Sequence, residues 1–155
     1  MILKEDSTEQ KLRGAYYTPL KLAEKMVDFF KKDASIKSIL EPSCGDGVFV
    51  DALIETQFLT QNKKVTAIEI EKNEAKKLEE KLKNNLNVSV VNGDFFEFYQ
   101  KYKNINKYDL ILGNPPYIRY QYLEEKQRTE MAEILTSHGM KANKLINTWV
   151  GFMVA

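Results

Sequence analysis

The sequence predicts an α/β fold, a mostly parallel sheet with crossover helices, because strand-like runs alternate with helical patterns. Short apolar runs occur at residues 36–40, 65–70, 88–91 and 108–112. Amphipathic stretches lie between the first three. Glycine, proline, acidic and amide residues gather just after each run, at what would be the carboxyl ends of the strands.

Residues 1–13 are polar and read as a loose leader. Thr18-Pro19 reads as a helix start, with threonine as N-cap and proline in the first turn. Behind it Ala23, Met26, Val27 and Phe30 recur at helical spacing, ending near Lys32. The first strand, 36–40, leads into the turn 41–47, and 48–58 is apolar and long enough for a buried helix. After the second strand Asn73 is a candidate cap for a helix whose inward stripe is Ala75, Leu78 and Leu82. The Lys and Glu residues around that stripe have mixed signs, as a solvated face does. Strands three and four follow, then a charged helix over 123–136 and an apolar one at the end. Residues 147–155 are apolar and carry no stop signal, so the chain is read as cut inside an element that continues in a longer protein, a final helix docked on the core being the plainer alternative.

The length, 155 residues, suggests one domain over 1–155, with the fold incomplete. Charge is balanced, 23 Lys+Arg against 22 Asp+Glu, so no basic surplus favours nucleic acid, and any grip on DNA must come mostly from elsewhere. One cysteine excludes an internal disulfide, and no Cys/His spacing suits a metal. No signal-type apolar region follows Met1, and no run approaches a membrane span. A cytoplasmic protein without metal or membrane partner is expected.

Residues 110–117 bring an apolar strand to Gly113 and then to Asn114, Pro115, Pro116 and Tyr117. Proline fixes φ and has no N–H, and a residue before proline leaves the helical region. The result is a stiff, extended bracket with carbonyls open to donors. An amide oxygen, a proline carbonyl and a flat ring suit a planar amino group, whether on a nucleobase or a carboxamide. A simple strand-ending turn is the plainer alternative.

In open parallel sheets ligands sit at the carboxyl ends of strands, near the switch in strand order. Gly45-Asp46-Gly47 lets backbone pass close to a ligand and opens a helix N-terminus, although the third glycine of a dinucleotide fingerprint is Val50 here. A plain strand-to-helix turn would look the same. Glu69 ends strand two, at about the separation from the glycine turn at which α/β folds place an acceptor for ribose hydroxyls. A ribose acceptor without the full phosphate loop suggests a nucleoside lacking pyrophosphate. Asp94 is placed to accept from an adenine amino group, with Phe95 and Ile70 as apolar walls, or else closes an ordinary Asn-Gly-Asp turn.

These segments, in this order, resemble the S-adenosylmethionine-dependent DNA amino-methyltransferases, in particular the adenine-N6 type of restriction–modification systems with the cofactor motif first. Gly14-Ala15-Tyr16-Tyr17-Thr18-Pro19 resembles the family's leading motif, which closes over the methionine end of the cofactor. Leu40-Glu41-Pro42-Ser43-Cys44-Gly45-Asp46-Gly47 resembles its glycine loop. Ala67-Ile68-Glu69-Ile70 and Asn92-Gly93-Asp94-Phe95 resemble its ribose and adenine segments, and Asn114-Pro115-Pro116-Tyr117 its catalytic motif. The resemblance covers residues 13–120, with 144–155 similar to the start of the next helix. It implies a Rossmann-like class I methyltransferase fold and S-adenosyl-L-methionine as cofactor. It further implies a methyl transfer to adenine N6 in a flipped-out base of double-stranded DNA. The cofactor-binding residues implied are Tyr17, Thr18, Pro19, Glu41, Pro42, Ser43, Cys44, Gly45, Gly47, Glu69, Ile70, Asp94 and Phe95. The catalytic residues implied are Asn114, Pro115, Pro116 and Tyr117.

The family's three further strands, its later aromatic contact to the base and its target-recognition domain have no counterpart in these residues. Contact with DNA would then run through missing regions, the remainder of the polypeptide or a specificity subunit. Strand four would be an open edge. Protein-glutamine N5-methyltransferases use the same bracket on a carboxamide and are the nearest rival. A non-catalytic cofactor-binding subunit, an RNA amino-methyltransferase and a cytosine-N4 enzyme are the others. Cys44 reads as a small loop residue and His138 as a helix-end residue, neither with a catalytic partner nearby.

Overall fold

The computed structural model describes residues 17–141 and 147–155. The leader at 1–13 and the first three residues of the 14–19 motif lie outside the described residues. The chain forms two compact units, one spanning Tyr17–Asn114 and the other containing Pro115–Ala155.

In the first unit the elements run α1 (Leu20–Asp28), β1 (Ser38–Glu41), α2 (Val48–Glu55), β2 (Lys64–Glu69), α3 (Lys72–Leu82), β3 (Val88–Asn92), α4 (Phe95–Tyr102) and β4 (Leu110–Ile111). The four strands form a parallel sheet in the order β3-β2-β1-β4. Ile39 pairs with Val65 on one side and Leu110 on the other, and Glu69 pairs with Asn92. Successive strand residues face opposite ways. Ile39 and Leu40 are both buried, so β1 is covered on both faces, as parallel sheets require. Ala23 and Val27 of α1, Phe49, Val50, Ala52 and Leu53 of α2, and Leu78 and Leu82 of α3 join Ile39, Val65, Ala67, Leu110 and Leu112 in one core.

Two expectations about helix starts are corrected. Thr18 is not the cap of α1; Pro19 occupies the N-cap position with no side-chain bond, its carbonyl accepting from Leu22 and Ala23. The Thr18 hydroxyl is engaged elsewhere, as shown below. Asn73 lies inside α3, whose N-cap is Glu71. Helix α1 also stops at Asp28, short of Lys32, and continues only as turns. One helix was not anticipated. Asp94 opens α4 by accepting from the amides of Phe96 at 2.7 Å and Glu97 at 3.3 Å. Aspartate is among the strongest N-caps.

β4 is short, and its start is tied down. The Asp109 carboxylate accepts from the Lys37 and Ser38 amides, both at 2.8 Å, and from the Ser38 hydroxyl at 2.9 Å. Those backbone donors hold its pKa below the usual carboxylate range. β4 pairs only with β1 among the described strands, and Ile111 is 57 % exposed.

The second unit holds a 3-10 turn at Tyr120–Tyr122, then α5 (Glu125–Ser137) and α6 (Thr148–Val154). Glu124 and Gln127 form a reciprocal capping box at the start of α5. Arg119 bridges antiparallel to Asn147, and the Thr148 amide and hydroxyl donate to the Ile118 carbonyl at 2.8 and 2.7 Å. His138 is the C-cap of α5, its ring Nδ1 2.9 Å from the Ile134 carbonyl, in keeping with an end-of-helix role. No described helix is long and apolar enough to cross a membrane.

Candidate active site

The chain passes β1, β2, β3 in one direction and returns to place β4 on the other side of β1. Order therefore reverses between β1 and β4, the position where an open α/β sheet leaves a crevice beyond its strand ends. The loop after β1 and the residues after β4 meet there. A Cβ on Gly113 would stand 3.3 Å from Pro42 Cδ and 3.8 Å from Glu41 Cγ, so glycine permits a close approach of the two tips.

The glycine turn is built by backbone. Cys44 donates to the Ile68 carbonyl at 2.8 Å, and Gly47 to the Cys44 carbonyl at 2.8 Å. Gly47 has φ of 83°, and a Cβ there would stand 2.4 Å from Leu78 Cδ1 on α3. That position favours glycine, for conformation and for packing. Gly45 also has positive φ, 54°, and the Tyr17 ring edge lies 4.0 Å from where its Cβ would be. Tyr17 thus lies beside the glycine turn.

Glu69 is 7 % exposed and held by two backbone donors, Gly45 to Oε2 and Glu71 to Oε1, each at 2.7 Å. It ties the tip of β2 to the glycine turn. An ionised carboxylate accepts about four hydrogen bonds, so each oxygen retains acceptor capacity. Asn92 links the next tip, its amide donating to the carbonyls of Glu69 at 2.8 Å and Ile70 at 3.1 Å. Ile70 is exposed beside this link. Asp94 caps α4, and Phe95 is buried, its ring centroid 5.7 Å from Phe96 and 6.4 Å from Tyr99. Phe95 therefore packs within the helix start and is a less open wall than Ile70.

Asn114 closes the group. Its Nδ2 donates to Thr18 Oγ1 at 3.3 Å, and its carbonyl accepts from the Ser43 hydroxyl at 3.5 Å. Thr18 is the contact that sequence reasoning missed, because a Thr-Pro pair at a helix start suggests a cap. Beyond Asn114, Pro115 is buried, Pro116 half-buried and Tyr117 48 % exposed.

Two buried groups have perturbed acidity. Cys44 is buried, and that burial, with Glu41 and Glu69 adding, pushes its thiol further above its ordinary value. A thiol so placed is a poor nucleophile. Glu41 is 1 % exposed with neither oxygen hydrogen-bonded. Burial above all, then Asp46, Asp51 and Glu69, raises its pKa well above the ordinary carboxylate value, the Val50 amide opposing weakly from outside hydrogen-bonding geometry. The described residues contain no cluster of three or more His, Cys, Asp or Glu that could hold a metal. A surface hollow of about 560 Å³ is lined by Ile54, Lys81 and residues 84–87 at the start of β3. It contains none of these residues and is the wrong end of the sheet for them.

Known proteins resemble this chain in sequence and fold. The chain is 31 % identical over 128 residues to the Type II methyltransferase M.HincII of Haemophilus influenzae, covering 83 % of this chain and 22 % of that protein. It is 28 % identical over 152 residues to the Type II methyltransferase M.AccI of Acinetobacter calcoaceticus, covering 97 % of this chain and 26 % of that protein. The chain thus spans about a quarter of these relatives' length. Among solved structures, the type I restriction-modification system methyltransferase subunit from Streptococcus thermophilus superposes with a TM-score of 0.67 at 15 % identity, over 90 % of this chain and 31 % of that one. That likeness establishes the α/β fold as the one used by a methyltransferase subunit. Residues 8–154 match the Eco57I restriction-modification methylase family, nearly the whole chain, and the chain belongs to that family.

Proposed function

We propose that this chain is the cofactor-binding and catalytic part of a restriction–modification DNA methyltransferase acting on the exocyclic N6 of a flipped-out adenine. The observation that carries the reading is Asn114, held by Thr18 just past β4, where strand order reverses. Membership of the restriction-modification methylase family supports it. The residues present suit S-adenosylmethionine: Glu69 is a fixed acceptor for a ribose diol, and Glu41 is a buried carboxyl without a partner, suited to a cationic ligand.

When bound, S-adenosylmethionine supplies a methyl group on a sulfonium that leaves as a neutral thioether. The rest is positioning by the chain. An adenine amino group is a weak nucleophile because its lone pair is delocalised into the ring. The Asn114 side-chain oxygen and the Pro115 carbonyl accept its two hydrogens, which favours a pyramidal nitrogen and turns the lone pair outward. Holding reactants in attack geometry supplies on the order of 7–11 kcal/mol. The same acceptors stabilise positive charge as it develops on nitrogen. No base of raised pKa is needed, because the methylated ammonium is acidic and loses its proton to water. Tyr117 offers a ring on which an extruded base stacks, as the target atom is out of reach inside a duplex.

The test is Asn114→Ala in the intact protein, followed by transfer of labelled methyl to duplex DNA and, in parallel, to a glutamine-containing peptide. Transfer to DNA should fall on the order of a thousandfold, as for loss of an aligned acceptor, while cofactor affinity changes little. A variant that still methylates removes the mechanism. Labelling of the peptide and not the DNA by the parent protein replaces the substrate with a protein carboxamide.

A further inference from the structure

Glu41 ends β1 at the switch point, and both carboxylate oxygens are buried without a hydrogen bond. An ionised carboxylate in that state is strongly disfavoured, and the group takes up a proton instead. The groups around it come from every neighbouring element. Its own loop brings Asp46 and the Cys44 thiol. α2 brings the Val50 amide and Asp51, the latter paired with Lys81 at 2.5 Å. β2 brings Glu69, and the segment after β4 brings Gly113, which adds no charge. The charges that act on Glu41 are acidic, and each of them favours its protonated form.

We propose that Glu41 is a proton-linked counter-charge, protonated in the cofactor-free protein and ionised when a cationic nucleoside settles at the strand tips. This rests on the reading of the site as an S-adenosylmethionine site and adds its regulation by pH. A positive charge within about 4–6 Å favours an ionised carboxylate, and low local dielectric strengthens the effect. On binding, the O–H bond of Glu41 breaks, the electron pair stays on the carboxylate and the proton passes to the buffer. Release of a proton on binding means that affinity rises with pH, by up to about tenfold per pH unit between the bound and free pKa values. Above the raised value of the free protein the dependence ends, because no proton remains to release.

The test is calorimetric titration of the intact protein with S-adenosylmethionine in two buffers of different protonation enthalpy, from about pH 6 upward. Close to one proton should be released per cofactor at the acid end, falling towards none as the pH rises. Glu41→Gln should release none, and its affinity should lose the pH slope. Cofactor uptake with no proton release at any pH overturns the proposal, as does a Gln variant that releases as many protons as the parent. Should the variant not fold, infrared difference spectra of the parent decide. Loss of a buried carboxylic acid C=O band on binding is expected, and an unchanged band overturns the proposal. A folded protein that takes up no cofactor at all overturns the active-site reading itself, a result distinct from uptake without proton release.

Discussion

A side-chain amide presents an oxygen and an NH2 group of nearly equal shape, so Asn114 can accept a substrate hydrogen only if its rotation is fixed. Thr18 Oγ1, 3.3 Å from the Asn114 nitrogen, accepts from that end and holds the amide in this rotation. Thr18 is thus a positioning residue. Thr18→Val should lower kcat on the order of tenfold, about one hydrogen bond's worth, with cofactor affinity retained, and Thr18→Ser should restore it. Steady-state kinetics with separate cofactor titration check this; an unchanged kcat for the valine variant removes the role. Glu41 makes a second prediction without any ligand. Its folded pKa lies above the ordinary value of 4.5, so the folded state holds this proton more tightly than the unfolded state. The stability it contributes is present below the ordinary value and is lost as pH rises towards the raised one. Glu41→Gln removes the titration. The melting temperature of the cofactor-free variant should therefore gain on that of the parent as pH climbs from about 5 to about 8. Parallel melting curves across that range would refute it.

At the scale of elements, the site depends on how strands end and helices begin. Gly47 is the N-cap of α2 in the left-handed region, with Leu78 of α3 occupying the space a side chain would need. Gly47→Ala should destabilise the fold by about 1–3 kcal/mol through backbone strain and overpacking together. Denaturant unfolding measures it, and a neutral result would mean that the turn relaxes freely. Asp94 has two roles to separate, the observed cap of α4 and the proposed contact to adenine. Asp94→Ser keeps a capping oxygen and removes the carboxylate, so stability should hold within about 0.5 kcal/mol while cofactor affinity drops. Unchanged affinity would leave Asp94 as a cap alone. Helix α4 shows where sequence reading fell short. The sequence points to Phe95 as a ligand wall and to no helix between strands three and four, because aromatic residues have only middling helix propensity. What makes it a helix is the Asp94 cap together with burial of Phe95 and Phe96, a tertiary gain.

For the whole chain, electrostatics limit how DNA is engaged. The formal net charge is +1, so the chain offers little excess positive charge to displace counterions. These 155 residues by themselves should bind duplex DNA with a salt slope shallower than about −3 in log affinity against log salt. Fluorescence anisotropy over a salt series checks this, and a steep slope would reveal a basic surface that the composition conceals. From the linear sequence alone came the α/β class, the four strands within a residue or two, and the set of residues at their carboxyl ends. Those features are local: hydrophobic period, turn residues and prolines act within a few positions of themselves. The β3-β2-β1-β4 order, the grasp of Asn114 by Thr18 ninety-six positions away, and the isolation of Glu41 came only from the tertiary structure. Each joins segments far apart in the chain. Local preference carries no information about which distant donor a side chain will meet, or whether a carboxylate will meet any.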